Sequence, residues 1–312
     1  QPPVSAWLAL AEGLADYFDD LSLSAREQIQ RALALAGAAR LPPLRALASA
    51  WLAQFHYAAH EFGPMTSQLA EALRLAGPEL PGARARASMV AAVSLHFAGR
   101  FDLALPWYHR TRDDAAIEGD DATISAVMHN MSGLRISNAR LAALFGDDPG
   151  DEVRHALLGA QSTENFDLGV GTASLLHLVP MLRAQAHLLQ GDVAEALALY
   201  RSHLDPALAD GLGWQEGSFR ADLAWCLLTE GAVDEARQTA RAAAQALARG
   251  DADADDLACG HARLAEVLAR LGDADAAARH RRLAQAAVTE HRRQQAEVMA
   301  LHQREIGPLL GG

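Results

Sequence analysis

The chain has 312 residues, half of them hydrophobic but only 5% aromatic, and carries a formal charge of −12. That length supports a substantial buried core, while the excess of acid disfavours a nucleic-acid surface, which needs clustered cations. All 27 basic residues are arginine, which excludes chemistry that needs a lysine amine, such as a pyridoxal Schiff base or a P-loop phosphate contact. Alanine and leucine dominate and β-branched residues are thin, a composition for helices rather than strands. Periodicity and punctuation predict a first helical pair at 5–20 and 24–38. Pro42 and Pro43 punctuate the chain before helices at 44–61 and 65–76. GPELPG, 77–82, reads as a linker, followed by helices near 83–98 and 102–117. A long helical pattern covers 121–145, with a partner at 150–161, and STENFDLGVGTAS, 162–174, reads as a loop. Helices follow near 174–190 and 192–204, and DPALADGLGW, 205–214, reads as a break that leaves Trp214 near a loop. Helices near 215–230, 234–249, 254–271 and 274–306 complete the chain, which Pro308 and the terminal glycines stop.

Six glycines end a helical apolar pattern: Gly63, Gly99, Gly146, Gly191, Gly231 and Gly272. Seven residues before them stand Ala92, Ala139, Ala184, Ala224 and Ala265, with His56 in the first unit. Five residues after them stand Ala104, Ala196, Ala236 and Ala277, with Gln68 and Asp151 as exceptions. A helical hairpin explains the pattern. Glycine closes the first helix in a left-handed cap, and an aspartate (Asp102, Asp192, Asp234 or Asp273) is placed to cap the second. The alanines mark the closest approach of the two axes. No such hairpin buries its own apolar face, so neighbouring hairpins must stack.

On LHFAGRFDLALPWY, LLQGDVAEALALY, LLTEGAVDEARQTA and LARLGDADAAARH, the sequence resembles the tetratricopeptide-repeat (TPR) superfamily over roughly residues 85–290. Its unit spacing exceeds the usual ~34 residues of that family, and the Gly146 unit carries Asp147, Asp148, Pro149 and Gly150 as an insertion. The expected fold is therefore all-α: an α-solenoid, a right-handed superhelix of TPR-like hairpins with a long C-terminal helix. Residues 1–287 are expected to form the repeat domain, and 288–312 a capping or coiled-coil extension with Val288, Val298, Leu301 and Ile306 as its scattered apolar positions. The resemblance implies that the first helix of each pair lines a concave groove. The matching offsets select Tyr57, His60, Arg86, Met89, His96, Arg140, Met181, Gln185, Leu188, Trp225 and Glu266. The long helix around MHNMSGLRISNAR adds Asn130, Arg135 and Asn138, whose polar groups suit an extended backbone. Where the family's carboxylate clamp has lysine and asparagine, this chain has Met89, Val93, Met181 and Gln185, so a chaperone-type C-terminal carboxylate is not an expected ligand.

Other constellations fail on chemistry. His56 and His60 sit one turn apart but lack a third ligand and the HExxH order. GVGTAS lacks the preceding strand and the third glycine of a dinucleotide loop. The spacing of His177, His187 and His203 puts them on different faces, and no GxSxG elbow supports a triad. The runs Asp113–Asp114, Asp120–Asp121 and 251–256 read as solvated loops and caps. Cys226 and Cys259 form no CxxC, which fits a reducing cytoplasm. No apolar run reaches the ~18 residues of a membrane span. The start at Gln1 without methionine suggests a piece of a longer protein. The sequence thus predicts a noncatalytic cytoplasmic scaffold, without cofactor or metal, that binds a protein or peptide and neither nucleic acid nor membrane, with the C-terminal helix as a homodimer candidate. The alternative is a sensory segment of a larger bacterial signalling protein, upstream of a diguanylate cyclase or DNA-binding output domain.

Overall fold

The computed structural model describes residues 2–20, 25–171 and 176–310, and among these every regular element is helical. In chain order they are α1 (Pro2–Asp20), α2 (Arg26–Ala38), α3 (Pro42–Ala58), α4 (Phe62–Leu75), α5 (Pro81–Phe97), α6 (Phe101–Glu118), α7 (Asp121–Phe145), α8 (Glu152–Val170), α9 (Leu178–Gln190), α10 (Val193–Ala209), α11 (Glu216–Thr229), α12 (Val233–Leu247), α13 (Ala254–Arg270) and α14 (Ala274–Leu301). Consecutive helices pack as hairpins, α1 with α2, α3 with α4, α5 with α6, α9 with α10 and α11 with α12, and the first helices of neighbouring hairpins pack on one another, as in α3 with α5 and α11 with α13. Among the described residues no helix is long and apolar enough to cross a membrane.

The hairpin turns follow the expected chemistry in five of the six predicted units. Gly99, Gly191, Gly231 and Gly272 are left-handed, with φ from 74° to 86°, and Gly146 has φ 93°. After each the chain reaches back to close the helix: the N–H groups of Arg100, Asp192, Ala232 and Asp273 donate to the carbonyls of Leu95, His187, Leu227 and Leu268 at 2.8–2.9 Å. That six-to-one bond is the Schellman closure. The predicted first unit is out of register. Gly63 lies inside α4, and His60 takes the left-handed position instead, with φ 56° and the same closure from Glu61 N to His56 O. Counted from His60, the small residue seven places back is Ala53, fully buried, so the apparent misfit of His56 belongs to the register and not to the packing. The alanines at the predicted close approaches are buried throughout, from Ala92 and Ala104 to Ala265 and Ala277.

The aspartate caps hold less well. Asp273 bonds the Ala276 N–H at 3.0 Å, but Asp192 makes no capping bond and Asp102 and Asp234 lie inside the first turns of their helices. Asp120 caps α7 instead, accepting from Thr123 N at 2.9 Å. Two predicted breaks are helical. Residues 162–170 extend α8, whose end is Gly171 at φ 73°, whereas 172–174 lie outside the described residues, as does Ser24. Pro206 sits inside α10, and the break moves on to a short 3-10 turn, Leu212–Gln215.

The chain divides into two compact units, one of residues 1–127 with 295–312 and one of Met128–Gln294. In the first, Leu10, Ile29, Leu44, Leu52 and Phe55 form the core of α1–α3. The C-terminal residues belong to this unit. Gln295 Nε2 donates to Phe97 O at 2.7 Å, His302 Nε2 lies 2.8 Å from Ser94 Oγ, and Ser67 Oγ donates to Glu305 at 3.3 Å. The helix here loosens into a π turn, His302–Ile306. Val288, Val298, Leu301 and Ile306 are all buried, so the tail's scattered apolar positions are covered within the chain. In the second unit one core gathers Met181, Tyr200, Phe219 and Leu227 and another Ala221, Ala243, Leu247 and Leu264.

Candidate functional site

In the second unit α11 and α13 approach closely because Gly260 has no side chain. A Cβ there would stand 3.2 Å from Ser218 Cα. Along α11, Asp222 and Trp225 are three residues apart; along α13, Arg263, Glu266 and Arg270 follow at three and seven. Helical spacing sets each group on one face, and the close approach brings the two faces together.

The outcome is a layered cluster. Arg263 donates from Nε to Asp222 Oδ1 at 3.2 Å and from Nη1 to Glu266 at 2.8 Å, and its guanidinium lies 4.9 Å from the Trp225 ring centre. Arg270 stacks on the same ring at 3.9 Å. Trp225 is thus held between two cations, an arrangement favoured by the ring quadrupole. Beneath it Asp222, 1% exposed, accepts from Arg140 Nη2 at 2.7 Å and from the Tyr200 hydroxyl at 3.1 Å. Arg140 also donates to Ser218 Oγ at 2.9 Å and lies 3.8 Å from Asp256 Oδ1. Burial opposes the Arg140 charge, but Asp222 beside it more than offsets this and raises its pKa. Burial, reinforced by Asp255, pushes the Asp256 carboxyl up to about 8. Cys226 and Cys259 are buried nearby, and burial pushes both thiols up to about 12, where they are poor nucleophiles.

The predicted groove residues separate into three groups. Arg140, Trp225 and Glu266 are brought together through Asp222 and Arg263, two residues that sequence reasoning missed; only the three-residue pairing of Asp222 with Trp225 and of Arg263 with Glu266 would have flagged them. In the first unit Arg86 stacks on Trp51 at 3.9 Å, beside the edge-on ring of Tyr17, and bonds Thr123 at 3.5 Å; burial lowers its pKa. There too Tyr57 and His60 pack against Phe97, at ring distances of 6.2 and 6.3 Å. Asn130, Arg135 and Asn138 are half-buried, with Arg135 3.5 Å from Glu152. The third group corrects the groove assignment. Met89, His96, Met181 and Gln185 are at most 2% exposed, so they fill the interior and offer no surface. His96 bonds the Tyr108 hydroxyl at 3.2 Å, and Leu188 packs on the core around Met181. Arg140 is likewise buried, at 4%. Its role is to hold Asp222, not to meet a ligand.

The histidine pair at 56 and 60 does not form a metal face. His56 is bonded to Glu61, Nδ1 to Oε2 at 2.5 Å, and His60 lies beyond the end of α3. Among the described residues no group of three or more His, Cys, Asp or Glu is placed to hold a metal ion.

No protein-family model and no curated protein matches the sequence. Solved structures do. The chain is similar to the apo form of RapI, with a TM-score of 0.60 at 13% identity, covering 94% of this chain and 99% of that one. It is also similar to a STAND protein with a tetratricopeptide-repeat sensor, PH0952 from Pyrococcus horikoshii, with a TM-score of 0.53 at 15% identity. That match covers 91% of this chain and 44% of the STAND protein. The fold is that of the TPR-like helical-repeat proteins.

Proposed function

We propose that the chain is a noncatalytic scaffold that binds a protein or peptide through the Trp225 surface of α11 and α13. The observation that carries this reading is the Arg263–Trp225–Arg270 stack with Glu266 at its rim. An aromatic ring and guanidinium groups set on rigid helices are the groups that dominate peptide-binding energetics. Asp222 and Arg140 fix Arg263 from below, so the ring and its flanking cation are pre-organised and little entropy is lost on binding. Arg270 is exposed and, among the described residues, has no carboxylate partner. An acidic side chain of a bound peptide suits that position.

Selection from a random peptide library against the immobilised chain tests the reading. Enriched peptides should carry an acidic residue beside an apolar one, and should lose about tenfold or more in affinity on Trp225→Ala or Arg270→Glu, the range of one hot-spot contact. Equal affinity for wild type and both variants would reject the surface.

A second reading is a sensor segment within a larger signalling protein. It is supported by the similarity to a protein whose repeats are a sensor and of which this chain matches less than half. Sequencing the gene beyond Gly312 tests it: a stop codon there and a natural start at Gln1 would remove it.

A further inference from the structure

We propose that a cavity between α2, α3 and α4 binds a free α-amino acid with an aliphatic side chain. This site lies in the first unit and does not depend on the Trp225 reading. The cavity measures about 480 Å³, within the range of small-molecule sites. Arg45 and Ser49 line it from one face of α3, Gln68 and Glu71 from one face of α4, and Leu33 and Gly37 from one face of α2.

Two of these groups lack the partners that buried polar atoms normally have. Ser49 is fully buried, and its hydroxyl makes no hydrogen bond; the buried Oε1 of Gln68 makes none either. Other buried helical hydroxyls in the same unit return to the carbonyl four residues back: Thr66 to Phe62, Ser94 to Val90 and Thr111 to Trp107, at 2.6–3.0 Å. Ser49 does not. An orphaned buried polar group destabilises a fold, and two that line one cavity point to a ligand that satisfies them.

The chemistry of the wall selects that ligand. Gln68 Oε1 and the Glu71 carboxylate only accept, so they require N–H donors, best on a cation. The Arg45 guanidinium only donates and requires an anionic oxygen. Ser49 can do either. Arg45 pairs with Glu71, so a lone cation or a lone anion complements one of them and repels the other. A zwitterion complements both: its ammonium meets Glu71 and Gln68 Oε1, and its carboxylate meets Arg45. Leu33 offers an apolar wall, and at Gly37 an added Cβ would meet open space, which leaves room for a branched aliphatic side chain.

Calorimetric titration of the full chain with L-leucine, N-acetyl-L-leucine and the dipeptide Leu-Gly tests the assignment. Leucine should bind saturably, acetylation should abolish binding, and Leu-Gly should bind about tenfold or more weakly, because its carboxylate no longer reaches Arg45. Ser49→Ala and Gln68→Leu should each weaken leucine binding about tenfold while raising the melting temperature of the ligand-free chain, because each removes an unpaired polar group. Gly37→Leu, which fills the cavity from a helical position, should abolish binding and leave the chain folded. No saturable binding of leucine, equal binding of the acetylated form, or tighter binding of Leu-Gly would overturn the assignment. So would a lower melting temperature in both Ser49→Ala and Gln68→Leu, since their polar atoms would then already be satisfied.

Discussion

Asp222 shows how far one side chain can organise a neighbourhood. Its carboxylate accepts from Arg140, Tyr200 and Arg263 at 2.7–3.2 Å while almost wholly buried. Removing it leaves Arg140 charged, buried and unpaired, so Asp222→Ala should cost about 3–5 kcal/mol, read from urea denaturation. Arg270→Glu, on the exposed rim, should change stability by no more than about 0.5 kcal/mol in the same experiment. A pair of glycines gives a second contrast. Added Cβ atoms at Gly37 and Gly191 would both meet open space, but only Gly191 is left-handed, at φ 85°. Gly191→Ala should therefore destabilise by about 1–2 kcal/mol through backbone strain, and Gly37→Ala should stabilise by up to about 1 kcal/mol through helix propensity; opposite signs are the expected outcome in paired thermal melts. The left-handed glycines were legible because only the backbone demands them. His60 was not, since a non-glycine there is held by its surroundings, the rings of Phe62 and Phe97. The burial of Arg140 was also illegible: its partners lie on other helices, some 80 positions away, and no local spacing announces them.

At the level of elements, helix existence followed from periodicity, and hairpin turns from the glycine and alanine pattern. Stops read from proline alone failed, because Pro206 costs its helix one hydrogen bond without ending it. The last hairpin carries a feature that periodicity could not show. His261 of α13 and His280 of α14 face each other, Nδ1 to Nδ1 at 3.0 Å, both buried. One ring donates and the other accepts, so two imidazolium rings would oppose N–H to N–H. Burial, then His280, lowers the His261 pKa from 6.5 to about 4, and burial, then Arg279, lowers that of His280. Because the folded values lie below the unfolded one, the unfolded chain binds protons first on acidification. The contribution of the pair is complete above pH 6.5 and is lost as the pH falls towards 4, by roughly 3 kcal/mol for His261. Asp256, with its raised folded value, titrates with the opposite sign between about pH 4 and 8, so the test must compare variants that share it. Between pH 6.5 and 4 the stability of His261→Gln/His280→Gln should fall less steeply than that of wild type; parallel curves from denaturation at each pH would refute the assignment.

Across the whole chain, the feature least visible in the sequence is that the C-terminal residues complete the first unit. Residues 295–312 cluster with 1–127, through contacts such as Ser94 with His302 that join positions about 200 residues apart. Sequence periodicity reports which face of a helix is apolar but not which distant helix covers it. The scattered Val298, Leu301 and Ile306 therefore looked like a weak seam for a second copy, when each is buried on its own chain. This has a consequence for stability. Burying a Val, Leu or Ile side chain contributes about 1.5–3 kcal/mol, so deleting 295–312 should lower the local stability of the first unit by several kcal/mol. The loss should fall on α4 and α5, which supply Ser67, Ser94 and Phe97 as partners, whereas α9–α13 keep their own cores. Hydrogen exchange followed by mass spectrometry resolves the two: faster exchange confined to 62–97 in the truncated chain, reversed by adding a synthetic 295–312 peptide, is the expected pattern. Uniformly faster exchange over both units would mean that they unfold as one, and unchanged exchange at 62–97 would mean that the terminal segment adds no stability where it packs.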